Sequence, residues 1–251
     1  MTARAIGVFA LVLALASPAL AGPANSTIGA KKLEEDMVHS GGVGYPSIMY
    51  EWWNKGEGKM DWGLSGELVY GPWLAGSTGG RFVKIGLGID GMLRWNILSN
   101  KKPKVQNDFA ILAKPGILIS GNTGDSFMFA FKTELGLPFT IDVHERVTVV
   151  TGGFLPIGGY FASNMQNFGE IPILIRMGVE IEANESVAPW FFFDLGPGIS
   201  FGGGSSDAHF SWRLGAGTAF WGVLGKNKNK SDSAATASSE PAEEPAEEYA
   251  E

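Results

Sequence analysis

From about residue 41 to residue 225 the chain alternates between apolar and polar positions. Between Phe82 and Ile97, one side of an extended backbone carries Val83, Ile85, Leu87, Ile89, Gly91, Leu93, Trp95 and Ile97. The other side carries Phe82, Lys84, Gly86, Gly88, Asp90, Met92, Arg94 and Asn96. A period of two places i, i+2 and i+4 on one face of a strand and cannot form the stripe of a helix. Ser126–Asp142 repeats the pattern, with Phe127, Phe129, Phe131, Leu135, Leu137, Phe139 and Ile141 opposite Met128, Ala130, Lys132, Glu134 and Gly136. Phe168–Glu182, Val187–Phe201 and His209–Leu224 follow it, and Met60–Trp73, Asp108–Ser120 and Arg146–Tyr160 follow it more weakly. Clusters of Gly, Ser, Thr, Asn and Asp separate the runs, as at Gly76–Gly80, Gly121–Asp125, Ala183–Ser186 and Gly202–Asp207. The pattern predicts an all-β chain.

Run length and face chemistry then choose between two architectures. Ordinary strands run about 5–6 residues, and crossing lipid takes about 9–11; the best runs here exceed both. The polar side is rich in Gly and poor in charge, whereas a sandwich facing water would carry many Lys and Glu. Small residues and sparse mixed charges suit the crowded inside of a small barrel, whose outward face meets lipid. The fold expected is an antiparallel transmembrane β-barrel of eight strands. Ten is the alternative count, reached if Tyr45–Trp53 pairs and one long run is split. Tyr70, Trp73, Trp95, Tyr160, Trp190 and Trp221, near run ends, are expected to form interfacial girdles. Pro115, Pro138, Pro156, Pro172, Pro189 and Pro197 each remove a ladder donor and predict bulges.

The ends of the chain read differently. One Arg, the apolar run Ala5–Ala16 and the small-residue ending Ala19-Leu20-Ala21 describe a secretory signal peptide over 1–21, with cleavage before Gly22. Residues 22–58 read as a polar periplasmic entry segment with room for an extra strand, and 59–225 as the barrel. Residues 226–251 are Ala-, Pro- and Glu-rich, with nothing to bury, and are expected to be a disordered acidic tail.

Composition narrows the function classes. The 251 residues include 36 Gly, 18% charged residues and no Cys. Without Cys there is no disulfide framework, no Cys-held metal and no Cys-anchored lipid. A formal charge of −7 argues against a nucleic-acid partner.

Taken together, the export signal, the missing Cys and the long alternating strands over roughly 60–224 resemble the small outer-membrane β-barrel proteins of Gram-negative bacteria, of the OmpA, OmpX and OmpW type. The last strand resembles the assembly signal of that class through Arg213, Gly215, Thr218 and Phe220, although Thr218 stands where an apolar residue is usual and the chain continues beyond Phe220. The resemblance implies outer-membrane localisation, contact with outer-membrane lipid and with barrel assembly machinery, and both termini in the periplasm.

Candidate chemistry is sparse. Lys84, Asp90, Arg94, Lys132, Glu134, Arg176, Glu180, Asp194 and Arg213 are expected to form a structural charge network in the lumen. Arg176 would pair with Glu180, and Lys132 with Glu134, along their own strands. Gly86–Gly91 matches a dinucleotide fingerprint, but it lies inside a strand, where no helix can start. His209-Phe-Ser211 resembles the His-x-Ser pair of lipid-trimming barrel enzymes, yet the alternation turns His209 and Ser211 inward with Arg213. His39 and His144 fall in the entry segment and a turn, so no metal cluster is expected, and no cofactor. The function expected is a non-enzymatic structural or docking barrel, with a place in a multiprotein envelope machine for secretion, motility or polysaccharide export as one form of it, and with periplasmic or outer-membrane protein partners. The alternatives are a small porin, a lipid-acyl hydrolase barrel and a secreted soluble sandwich.

Overall fold

The computed structural model describes residues 25–71, 83–102, 105–122, 127–163 and 166–222. Every regular element among them is a strand: β1 (Met37–Tyr45), β2 (Ser47–Lys55), β3 (Met60–Gly71), β4 (Val83–Lys102), β5 (Val105–Asn122), β6 (Phe127–His144), β7 (Val147–Ala162), β8 (Phe168–Pro172), β9 (Leu174–Ile181), β10 (Val187–Gly202) and β11 (Ser205–Trp221). Neighbours pair antiparallel throughout, and β1 also pairs with β11 from Val38↔Trp221 to Tyr45↔Leu214. The sheet therefore closes on itself as a barrel, which excludes a two-sheet sandwich.

β8 and β9 lie end to end between β7 and β10 and act as one stave interrupted at Ile173. The barrel has ten staves, not eight. The two extra staves are β1 and β2, and no long run is split. The barrel accordingly starts at Met37, inside what reads from sequence as an entry segment. β1 (Met37–Tyr45) escaped notice because Gly41, Gly42 and Gly44 leave it almost no apolar face to recognise.

Strand ends sort into two rims. Met37, Trp221 and the turns at 56–59, 145–146 and 182–186 share the terminal rim with the ends of β4 and β5 at Lys102 and Val105; Pro46 and the turn at 203–204 share the loop rim. Lys101 pairs with Gln106 and Lys102 with Val105, so the ladder between β4 and β5 runs to the ends of both strands. Gly203 and Gly204, both at positive φ (62° and 81°), supply the two-residue turn that matches strand twist.

Bulges occur between Val69 and Gly71, Val83 and Ile85, Asn96 and Leu98, and Asp142 and His144, none of them at a proline. Pro138 faces Gly152, whose φ of 149° lets the two backbones pass close; a Cβ there would sit 2.4 Å from the Leu137 carbonyl. Pro172 does break its stave, and the Ile173 N–H donates to the Pro197 carbonyl.

Alternation holds around the barrel. Ile85, Leu87 and Ile89 are exposed while Gly86, Gly88 and Asp90 are buried; in β6 (Phe127–His144) every even-numbered residue from Met128 to Asp142 is buried. Trp52, Trp62 and Trp95 ring the outside near the terminal rim, and Tyr45, Tyr70 and Trp212 ring it near the loop rim. Tyr160, Trp190 and Trp221 do not join these girdles: they point inward and are buried. Their parity, not their nearness to a strand end, decides this. Trp73, residues 1–21, expected to be a signal peptide, and residues 226–251, expected to be a disordered tail, lie outside the described residues.

Candidate functional site

The inside of the barrel is the functional candidate, and its two ends are built differently. At the terminal end, residues 25–36 turn back into the lumen instead of running away from it. Asn25 Oδ1 accepts from the Glu34 and Glu35 N–H groups at 2.9 and 3.1 Å, closing the base of a loop whose apex is Thr27–Gly29. Asn25, Ser26, Thr27, Ile28, Ala30, Lys31 and Leu33 are all buried.

Wall residues meet this loop group by group. Glu180 accepts from Ser26 Oγ at 2.6 Å and from the N–H groups of Thr27 and Ile28 at 2.9 and 3.2 Å. Arg94 donates through Nη1 to the carbonyls of Ser26 and Gly29 at 2.6 and 3.2 Å, and through Nη2 to Asp61 at 2.8 Å. Asp61 also accepts from the Leu33 N–H, and Asn96 donates to the Ala30 carbonyl. Lys31 Nζ lies 2.7 Å from Asp142, which Thr148 also contacts at 2.7 Å. Main-chain groups buried in the lumen need such partners, because each one left bare costs roughly 1–3 kcal/mol. The fit is also steric. A Cβ on Gly29 would sit 2.4 Å from Thr140 Cγ2, and one on Gly178 would sit 3.2 Å from Ile28 Cδ1.

Toward the loop rim the charges answer one another. Lys132 Nζ is 2.9 Å from Asp90 and also pairs with Glu67, while Ser65 donates to Asp90. Lys114 pairs with Glu51 at 2.7 Å, and Trp53 Nε1 donates to the other Glu51 oxygen. Arg176 grips Asp194 with two bonds of 2.8 Å, and its guanidinium lies between the rings of Phe154 and Phe192. Arg213 bridges Asp194 at 2.6 Å to Glu134. This web surrounds a cavity of about 90 Å³ whose floor is Thr27 and Ile28 and whose rim includes Tyr45, Pro46 and Ser47. That is room for about three waters.

The expected charge network is thus partly assembled and differently paired. Asp90, Arg94, Lys132, Glu134, Arg176, Glu180 and Asp194 are buried inward, with Arg213 mostly so. Lys84 lies in β4 (Val83–Lys102), and its side chain is outside the described set. The same-strand pairs Arg176–Glu180 and Lys132–Glu134 do not form: Arg176 pairs with Asp194, its register partner on the next stave, and Lys132 with Asp90 and Glu67 on other staves. Sequence reading missed Asp61, Glu51, Glu67, Lys114 and Asp142. Glu51 lies in Tyr45–Trp53, read only as a possible extra strand, and Asp61, Glu67 and Lys114 lie in the weakly patterned runs Met60–Trp73 and Asp108–Ser120, where alternation of Asp61, Ser65 and Glu67 with Trp62, Leu64 and Leu68 was the available signal. It missed the loop entirely, since residues 25–36 have no periodicity.

Of the assembly-signal residues, Arg213 and Gly215 face the lumen, and Thr218 and Phe220 face outward beside Gly41 and His39. His39 is not in an entry segment. It lies in β1, stacks on Phe220 at 5.4 Å and sits 2.7 Å from the Tyr50 hydroxyl. His209 and Ser211 are buried in the lumen, with His209 Nε2 3.2 Å from Glu170, so neither meets the outer surface as a lipid-cleaving pair must. Gly86–Gly91 lies wholly within β4 (Val83–Lys102). Among the described residues no cluster of His, Asp and Glu is suited to a metal ion. Comparison with protein-family models, curated protein sequences and solved structures returns no match.

Proposed function

We propose that this chain is an outer-membrane barrel acting as a structural or docking component of the cell envelope, with a lumen that is closed at rest. The observation that carries the membrane reading is the outward wall. Among the described side chains, no Asp, Glu, Lys or Arg lies on that wall between the two aromatic rings, while Leu64, Ile89, Ile117, Phe131, Leu135 and Ile175 are exposed there. Exposed apolar surface on this scale has no place in water. From Trp62 to Tyr70 the chain runs about 27 Å along the strand, which a tilt of about 35–45° shortens to roughly 20 Å, somewhat below the apolar band of about 25 Å that such barrels present to lipid.

The filled lumen supports a docking role over a standing pore. Side chains fill barrels of about eight strands by themselves; here ten staves leave extra space, and residues 25–33 occupy it. Expression in a Gram-negative host followed by outer-membrane fractionation tests the reading. The protein should sediment with the outer membrane and migrate faster on gels unheated than boiled. Recovery as a soluble periplasmic or secreted protein would end it.

A further inference from the structure

The loop at the terminal end differs from every other part of the lumen in how it is held. Apart from the Lys31–Asp142 ion pair and the Thr27–Ser40 hydroxyl contact, the hydrogen bonds that hold it inside the lumen join wall side chains to loop main-chain groups and to Ser26, and water can replace each of those partners once the loop leaves. The loop-rim web joins wall to wall, with one long bond from Arg176 to the Ile28 carbonyl as its link to the loop, so the web stays behind. The apex, Thr27 and Ile28, is also the floor of the cavity. If the apex moves out toward the terminal rim, that cavity runs on into the channel the loop vacates, lined by Arg94, Asp61, Glu180 and Asp142. Its attachment to β1 (Met37–Tyr45) passes through Glu34, Glu35 and Asp36, all exposed and held to β2 where Lys55 donates to the Glu34 and Asp36 carbonyls, which gives the loop a hinge at the terminal rim.

We propose that residues 25–33 are a displaceable plug and that their withdrawal turns the closed barrel into a narrow water-filled conduit for small ions. The inference rests on the membrane reading above. It predicts conduction from a chain that is silent with the plug seated.

The chain has no Cys, so a reversible lock can be installed on a clean background. Thr27 Oγ1 and Ser40 Oγ are 3.4 Å apart, one on the plug and one on β1. Thr27→Cys with Ser40→Cys places two thiols within reach of a disulfide. Two loosening variants act by different means. Glu180→Ala removes three hydrogen bonds to the apex, and Gly29→Val drives a side chain against Thr140. One bond to a charged group is worth roughly a decade in equilibrium, so open time in planar bilayers bathed in potassium chloride should rise roughly tenfold or more in each variant. Oxidising the Cys pair in either background should silence the current, and reductant should restore it.

The idea fails if both loosened barrels insert and stay silent, or if the oxidised and reduced forms conduct equally. It fails as well if neither loosened form inserts, since residues 25–33 are then part of the folding unit and not a gate. Co-flotation of the unaltered protein with liposomes separates these failures from failure of the membrane reading. A protein that floats while its loosened forms stay silent loses only the gate.

Discussion

At the terminal end of the lumen, Glu180 and Arg94 direct most of their hydrogen bonds to main-chain groups of residues 26–29. At the loop end, Lys132, Lys114, Arg176 and Arg213 each meet a carboxylate on another stave. Both arrangements neutralise buried charge, but they do it with different consequences. A cross-stave ion pair ties two walls together, and it weakens when either partner is lost. A charge capping a loop ties the wall to something that can leave. One half of the lumen is frame, and the other is frame plus tenant.

Arg94→Met should separate the two most sharply. It strands Asp61 in a buried site and releases the Ser26 and Gly29 carbonyls, and breaking such a pair typically costs about 3–5 kcal/mol. Urea unfolding in lipid vesicles should show that loss, and a result as mild as that for a loop-end lysine would erase the distinction.

The outer wall sets the next test, because the comparison assumes that one residue's step turns inside into outside. Ile175 is exposed and its neighbour Arg176 is buried in the lumen. Ile175→Arg should cost ~2–4 kcal/mol if the position lies near the bilayer midplane, read by the same unfolding experiment. Tolerance of arginine there would contradict the facing of β9 (Leu174–Ile181).

A smaller effect is expected from Gly178→Ala, whose added methyl presses on Ile28 and on the Phe191 carbonyl. Overpacking of this kind costs about 1–3 kcal/mol. Protease digestion should cut residues 25–36 sooner while the rest of the barrel keeps its resistance; uniform loss of resistance would mean that loop and wall melt as one. Lys114→Met should matter least. Lys114 borders the cavity and keeps 19% of its side-chain surface exposed, so its pair with Glu51 behaves more like a solvated one, worth up to about 1 kcal/mol.

What could be read in advance follows the same division. The long staves were legible because their lipid-like faces repeat Ile, Leu and Phe at every second residue, and inward placement of Asp90, Arg94 and Arg176 follows from parity alone. β1 was illegible because glycine has no face. The pairing of charges was illegible for two reasons: Arg176 and Arg94 pair with register partners on the next strand, Asp194 and Asp61, and Lys114, Lys132 and Arg213 reach across the lumen to staves whose position depends on the stave count. Residues 25–36 were illegible for a deeper reason. Their order is dictated by wall groups far along the chain, Glu180 and Asp142 among them, and no local pattern carries that information.

The glycines that hid β1 have a consequence for how the barrel comes into being. Neighbouring hairpins can form as soon as their residues exist, but the β1–β11 seam joins Val38 to Trp221 and must wait for almost everything between. Closing so long a loop carries an entropic penalty before it gains any contact. Trp190 helps make that last step hard to reverse. Its indole lies over β1 so closely that a Cβ on Gly42 would sit 2.4 Å from the ring, one on Gly217 would sit 2.5 Å from it, and its Nε1 donates to Ser40 at 2.9 Å. The bare backbone of β1 is the keeper of a latch, and Trp190 is the bolt: any side chain larger than hydrogen at Gly42 should leave a barrel that forms its hairpins on time and lingers unclosed.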